Sequence, residues 1–285
     1  NRINWLKSEN EKKQKEIIYQ LKQNEEIQLE ANRVLEQKVI ERTAEVVEQK
    51  NEAVKQRNRS DELLLNILPE ETAEELKTTG TAKARYIEQA TVLFTDMKDF
   101  TKVSEKLSPE ELVAEINEYF TAFDRIVEKH GVEKIKTIGD SYMAAGGLPT
   151  VNNTHAKDVV QCALEMLEFI KEQQQRKKQE GKVTFDIRIG IHTGPVVAGI
   201  VGLKKFAYDI WGDTVNIASR MESSGEVGQV NISRATFEIV KDEFICIYRG
   251  KLEAKNKGMI DMYFVDPDGK LIISEGESST ISLTD

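Results

Sequence analysis

Long apolar runs are missing from this chain. No stretch reaches the roughly 18 apolar residues that a membrane-spanning helix needs, and nothing in the opening residues has the pattern of a secretory signal. Cysteine is scarce too: Cys162 and Cys246 have no metal-ligand spacing and form no disulfide framework. They read as small core residues in a reducing compartment. An excess of basic charge is also lacking, because 49 Asp and Glu outweigh 40 Lys and Arg and leave a net charge of −9. That excludes nucleic acid as a partner, since the electrostatic footprint is wrong. A polyanionic ligand would have to be met by local cations or by metal. The three histidines, His130, His155 and His192, lack mutual metal spacing, and His130 reads as a helix-end residue.

Glycine and proline are absent from the first 68 residues, which are dense in Glu, Lys, Gln and Asn. As one helix this stretch would be about 100 Å long at about 1.5 Å per residue, with too little apolar surface to stand alone in water. Heptad spacing supplies the partner. Ile17, Asn24 and Ala31 form one row, Leu21, Gln28 and Leu35 a second, and Val39, Val46 and Ala53 a third. Two successive steps of four at Ala31, Leu35 and Val39 make a stutter that locally unwinds a coiled coil. Polar seam residues Asn24, Gln28, Arg42 and Gln49 weaken the coil while fixing its register. The pattern predicts a parallel homodimer, its stalk either a plain dimerisation helix or a transmitter whose register changes. The chain opens on Asn1 rather than Met, and is expected to be a soluble, cytoplasmic fragment that a sensor or membrane domain precedes.

At 285 residues, one catalytic-sized domain plus this helix is the expected organisation: coil 1–68, junction 69–86, globular domain 87–266, and a polar, flexible tail 267–285. The apolar cluster Leu63-Leu64-Leu65-Asn66-Ile67-Leu68 is expected to pack against that domain. Pro69 ends the helix or opens the next, with Glu70 and Glu71 suited to a helix N-terminus. Ser108-Pro109-Glu110-Glu111 is a helix start, predicting a helix to about Lys129 that buries Leu112, Ile116, Phe120 and Phe123. Val132–Ile138 and Tyr142–Ala145 read as a hairpin with Gly139-Asp140 at its tip. A helix over Thr154–Lys178 follows. Thr184–His192 alternates and is expected to pair with Val196–Val201, ahead of a helix near Thr214–Met221 and strands near Val230, Ile245 and Met262–Val265. Interleaved strands and helices predict an α/β (α+β) sandwich around a central sheet.

Two aspartates end apolar, strand-like runs: Asp96 after Ala90-Thr91-Val92-Leu93-Phe94-Thr95, and Asp140 after Ile135-Lys136-Thr137-Ile138-Gly139. Carboxylates brought together at a sheet rim repel unless cations sit between them. Oxygen-only ligands suit Mg²⁺ or Mn²⁺ and lean on substrate phosphates to complete the shell. Taken alone, Asp140 after glycine would more often be a turn former.

Three ordered motifs closely resemble the class III nucleotidyl cyclases. They are Val92–Asp96, Glu133–Ala144, and Tyr208-Asp209-Ile210-Trp211-Gly212-Asp213-Thr214-Val215-Asn216-Ile217-Ala218-Ser219-Arg220-Met221. The resemblance implies a ferredoxin-like catalytic fold that works as a dimer, with active sites at the subunit interface. It implies Asp96 and Asp140 as ligands of two metal ions per site, Mg²⁺ or Mn²⁺, with Lys136 and Asp209, beside Ile210, on the base. It further implies Asn216 on the ribose, Arg220 on the transition state, Lys255 or else Lys257 on the triphosphate, and backbone at Phe100 and Thr101 against phosphates. Trp211 is expected to pack beneath the base pocket.

The residue types make chemical sense. Adenine offers an amino donor to an aspartate and a ring-nitrogen acceptor to a lysine. Guanine reverses that edge, so guanylyl enzymes of the family need an acid where Lys136 stands. ATP is therefore the expected substrate and cyclic AMP the expected product. A guanylyl or dual-specificity cyclase is the nearest rival, and a nucleotide-binding module without catalysis is a rival of another class. One departure stands out: Lys98-Asp99-Phe100-Thr101 carries Asp99 where the family usually has glycine, and aspartate tolerates unusual backbone angles better than most residues.

Overall fold

The computed structural model describes residues 2–202, 206–254 and 258–270. The chain divides into two units between Asn66 and Ile67. The first is a single helix, α1 (Arg2–Leu65). Its seam candidates Ile17, Leu21, Leu35, Val39 and Val46 are all exposed in the single chain. Of the apolar cluster that follows, only Leu68 becomes fully buried; Leu63, Leu65 and Ile67 stay exposed.

The second unit opens with α2 (Glu70–Thr79), capped by Pro69 and closed by Gly80 in the left-handed region at φ 74°. Next come β1 (Arg85–Lys98), α3 (Phe100–Ser104), α4 (Pro109–Lys129), β2 (Glu133–Ile138), β3 (Ser141–Gly146) and α5 (His155–Gln179). The chain continues through β4 (Asp186–Val201), β5 (Ala207–Trp211), α6 (Asp213–Ser223), β6 (Val230–Ser233), α7 (Arg234–Val240), β7 (Phe244–Ala254) and β8 (Gly258–Lys270). The eight strands form one sheet in the order β2-β3-β1-β4-β6-β8-β7, with β5 pairing β4. Only the β4–β6 pair is parallel among the described strands.

The start of α4 follows the sequence signal closely. The Ser108 side chain accepts from the Glu111 N–H at 3.2 Å, and the Glu111 side chain accepts from the Ser108 N–H at 2.8 Å. This capping box satisfies two donors that a helix start leaves free. The buried face of α4 sits further along than expected: Tyr119, Phe123, Ile126 and Val127 are buried, whereas Leu112, Ile116 and Phe120 are half-buried. The reason is that the C-terminal half of α4 meets α5, where Tyr119 and Phe123 stand edge-to-face with Phe169.

Residues 186–201 form one continuous strand, not two paired ones. β4 runs alongside β1 from Lys98↔Asp186 to Arg85↔Ala198, and the register shifts between Ile87 and Ala90. Pro195 falls opposite that irregularity, so its missing N–H interrupts no regular ladder bond. The alternation along β1 and β4 separates two faces. Leu93, Met97, Ile187, Ile189 and Ile191 belong to the main core with α4 and α5. Asp96, Arg188 and Gly190 point to the other face, where α6 lies. Contact there is close: a Cβ on Gly190 would fall 1.9 Å from the Glu222 backbone nitrogen. Glycine is required at that position.

Candidate active site

Asp96 ends up half-buried near the end of β1, cross-strand from Arg188 of β4. Arg188 Nη2 donates to Asp96 Oδ2 at 2.6 Å. Asp140 is delivered by the two-residue β2–β3 turn, which Gly139 makes possible at φ 63°. Its carboxyl is pushed above the usual range, chiefly by burial and further by the negative charge of Asp96, while backbone N–H groups at Asp140 and Met97 oppose the shift. The hydrogen bond at Met97, the residue after Asp96, brings the two aspartates to one corner.

Sequence reasoning missed two members of this corner. Arg188 falls within the alternating stretch Thr184–His192 with nothing to single it out, and Glu222 lies one residue beyond the third motif. Glu222 is 7% exposed. Its Oε1 lies 3.0 Å from Arg188 Nη2, an ion pair whose angle makes no hydrogen bond, so that oxygen has no hydrogen-bond partner. Burial pushes the Glu222 carboxyl up to about 7, the charges of Asp96 and Asp140 push the same way, and Arg188 pulls back. Both signals were readable in principle as a charge on a strand face and an acid on an amphipathic helix, but only the sheet register and the α6 contact at Gly190 join them.

Three carboxylates around one guanidinium leave an excess of negative charge in a partly desolvated corner. A hard divalent cation with oxygen ligands suits the Asp96 and Asp140 carboxylates, while Glu222 Oε1 faces Arg188.

A second cluster assembles 73 residues apart in sequence. Lys136 Nζ, on β2, donates to Asp209 Oδ2, on β5, at 2.5 Å. Asp209 Oδ1 accepts from the Ile210 N–H at 2.9 Å. Ile210 is buried at 2%, whereas Trp211, expected to pack beneath the base, is 37% exposed in the single chain. The β5 strand itself was not foreseen.

Asn216 is exposed and Arg220 half-buried on α6, one turn apart on one face. Arg220 Nη1 reaches the Glu253 carbonyl oxygen at 3.5 Å. Glu222 is two positions after Arg220, so the two side chains leave opposite sides of the helix. Arg220 and Asn216 therefore face away from the Asp96 corner of their own chain. Phe100 and Thr101 open α3, directly after Asp99, whose backbone is left-handed at φ 55°. Lys102 Nζ donates to Asp99 Oδ1 at 2.8 Å and holds its carboxyl below the usual range. Lys255, with its alternative Lys257, lies outside the described residues.

A fold of this topology, with paired strand-end carboxylates and a lysine–aspartate pair, defines a nucleotidyl cyclase catalytic domain. Residues 82–267 match the adenylate and guanylate cyclase catalytic domain family, and the chain belongs to it. An adenylate cyclase of Mycobacterium tuberculosis is 40% identical over 209 residues, 73% of this chain and 46% of that protein. A receptor-type guanylate cyclase of Caenorhabditis elegans is 37% identical over 226 residues, 78% of this chain and 20% of the receptor. The chain thus spans about half or less of the length of these relatives. The crystal structure of the adenylyl cyclase CyaB from P. aeruginosa is 31% identical, with TM-score 0.62, covering 65% of this chain and 96% of that one. Among the described residues no helix is long and apolar enough to cross a membrane.

Proposed function

We propose that this domain converts ATP to 3′,5′-cyclic AMP and pyrophosphate, at two sites shared across a homodimer. The observation that carries the base assignment is the Lys136–Asp209 pair. Asp209 Oδ2 retains lone pairs beside the lysine and can accept from the adenine amino group, while Lys136, with two further N–H donors, can donate to the ring nitrogen. The Ile210 N–H fixes the carboxylate plane. Guanine presents the opposite edge to this pair, and an unpaired buried polar group on either side discriminates by as much as about 10⁴.

Asp96 and Asp140 would hold the divalent cations. When bound, Mg²⁺ or Mn²⁺ lowers the pKa of the ribose 3′-hydroxyl and neutralises phosphate charge. The 3′-oxygen gives its proton to a substrate phosphate oxygen or to solvent and bonds to the α-phosphorus as the bond to the bridging oxygen of pyrophosphate breaks. Asn216 orients the ribose for in-line attack. Arg220 adds positive charge where negative charge grows, an effect of about 3 kcal/mol when preorganised. No side-chain general base is required of this chain.

Sharing of sites follows from the helix geometry. The two groups of residues that the reaction needs diverge on opposite sides of α6, so a second chain must supply one group to the other. The long α1 seam, exposed in the single chain, gives that second chain a place to pair.

Turnover of ATP and of GTP, each with Mn²⁺ and the purified chain, tests the substrate. ATP should be preferred by at least about 10²-fold given the pairing chemistry. Preference for GTP would reject the base assignment, and no cyclic product from either would favour a non-catalytic nucleotide-binding module.

A further inference from the structure

We infer that Glu222 is a positioning residue: it shares Arg188 with Asp96 and so keeps the Asp96 carboxylate available to a divalent cation. The inference rests on the reading of Asp96 and Asp140 as the metal pair. Arg188 Nη2 is the hinge of the arrangement, 2.6 Å from Asp96 Oδ2 and 3.0 Å from Glu222 Oε1. One nitrogen thus serves two carboxylates. A cation arriving at Asp96 must compete with this guanidinium for Oδ2. With Glu222 ionised, Arg188 keeps a counter-charge when it lets go of Asp96; without that carboxylate, the guanidinium would be left unpaired in a site where it is only about one-fifth exposed.

Two further observations fix Glu222 in this role. It is 93% buried by its 7% exposure, yet its Oε1 accepts no hydrogen bond. Such an oxygen is normally satisfied, and here it is aimed at the guanidinium. The α6 backbone at Glu222 is also pressed against Gly190, which sets its distance from β4. Arg188 is further held by the Ser223 carbonyl oxygen, which accepts from Nη1 at 3.2 Å. It can therefore release Asp96 by a small rotation without leaving the corner.

Binding of Mn²⁺ alone to the full chain, followed by the electron paramagnetic resonance of free Mn²⁺, tests this without reference to turnover. Glu222→Gln should weaken binding about tenfold or more, the usual cost of losing an outer-shell partner. Arg188→Met should strengthen binding, because the competing cation is gone. In the Arg188→Met background, Glu222→Gln should then change little, since its effect runs through the arginine. An equal tenfold loss in that background would overturn the inference, making Glu222 a direct ligand. So would unchanged binding in Glu222→Gln itself. Asp96→Asn separates the two levels: if it abolishes binding while Glu222→Gln does not weaken it, only the role of Glu222 falls. If the wild-type chain binds no Mn²⁺, or Asp96→Asn leaves binding unchanged, the metal assignment and this inference both fall.

Discussion

Asp99 is the single residue other than glycine, among the described residues, with positive φ. A side chain in the left-handed region costs roughly 1–2 kcal/mol, and Asp and Asn meet that cost best because they bond locally. Here the bond is to Lys102. Asp99→Gly should therefore be tolerated, with unfolding free energy unchanged or raised by up to about 1 kcal/mol. Asp99→Val should lose about 2 kcal/mol, since a β-branched residue has no such escape. Denaturant unfolding of both variants measures this. Glu222 makes a second prediction at this scale. Its carboxyl titrates at about 7 in the fold, above its ordinary 4.5, so between those values the native state binds more protons than the unfolded chain. Its contribution to stability is complete below the ordinary value and is lost as pH rises through about 7. Without divalent cations, raising pH from about 5 to about 8 should cost wild type on the order of 2 kcal/mol more than Glu222→Gln. Equal pH dependence of the two chains would show that Glu222 keeps its ordinary carboxyl.

The element that organises the site is α6, because one side of it carries Asn216 and Arg220 and the other closes the acidic corner. Its seat is Gly190. Gly190→Ala would drive a methyl into backbone rather than into a flexible side chain, so α6 must shift. The expected outcome is a loss of about 1–3 kcal/mol from overpacking, together with a fall in turnover of about 10²-fold from misplaced reacting groups. Retained activity in a folded Gly190→Ala chain would mean that α6 tolerates displacement. How much of this was legible in the sequence differs by element. The α4 capping box, the β2–β3 hairpin and the run of α5 were readable because their signals are local: a cap, a two-residue turn, a helical period. The unbroken β4 was not, because Pro195 looks like a strand end until the irregularity in β1 stands opposite it. The short β5 and α7 were missed for want of any periodic run long enough to read. Lys136 and Asp209 were singled out only through family resemblance, although the structure brings them within hydrogen-bonding distance. Arg188 and Glu222 could not be connected at all without the register of β1 on β4.

At the scale of the whole molecule, the chain couples a 64-residue helix to a catalytic domain whose reacting groups diverge. The acidic corner of Asp96 and Asp140 lies on one side of α6, and Arg220 faces away on the other. On the proposed shared-site reading each half needs the other, and pairing through the exposed seam of α1 would raise the local concentration of the second half. The most direct measurement is cyclic AMP formation by mixed inactive chains. Asp96→Ala and Arg220→Ala chains should each be inactive alone. When mixed in equal amounts and allowed to exchange, half the dimers carry both lesions on different chains, and each of these keeps one intact site of two. Shared sites therefore predict recovery to about a quarter of wild-type turnover. No recovery, with mixed dimers demonstrated, would contradict them.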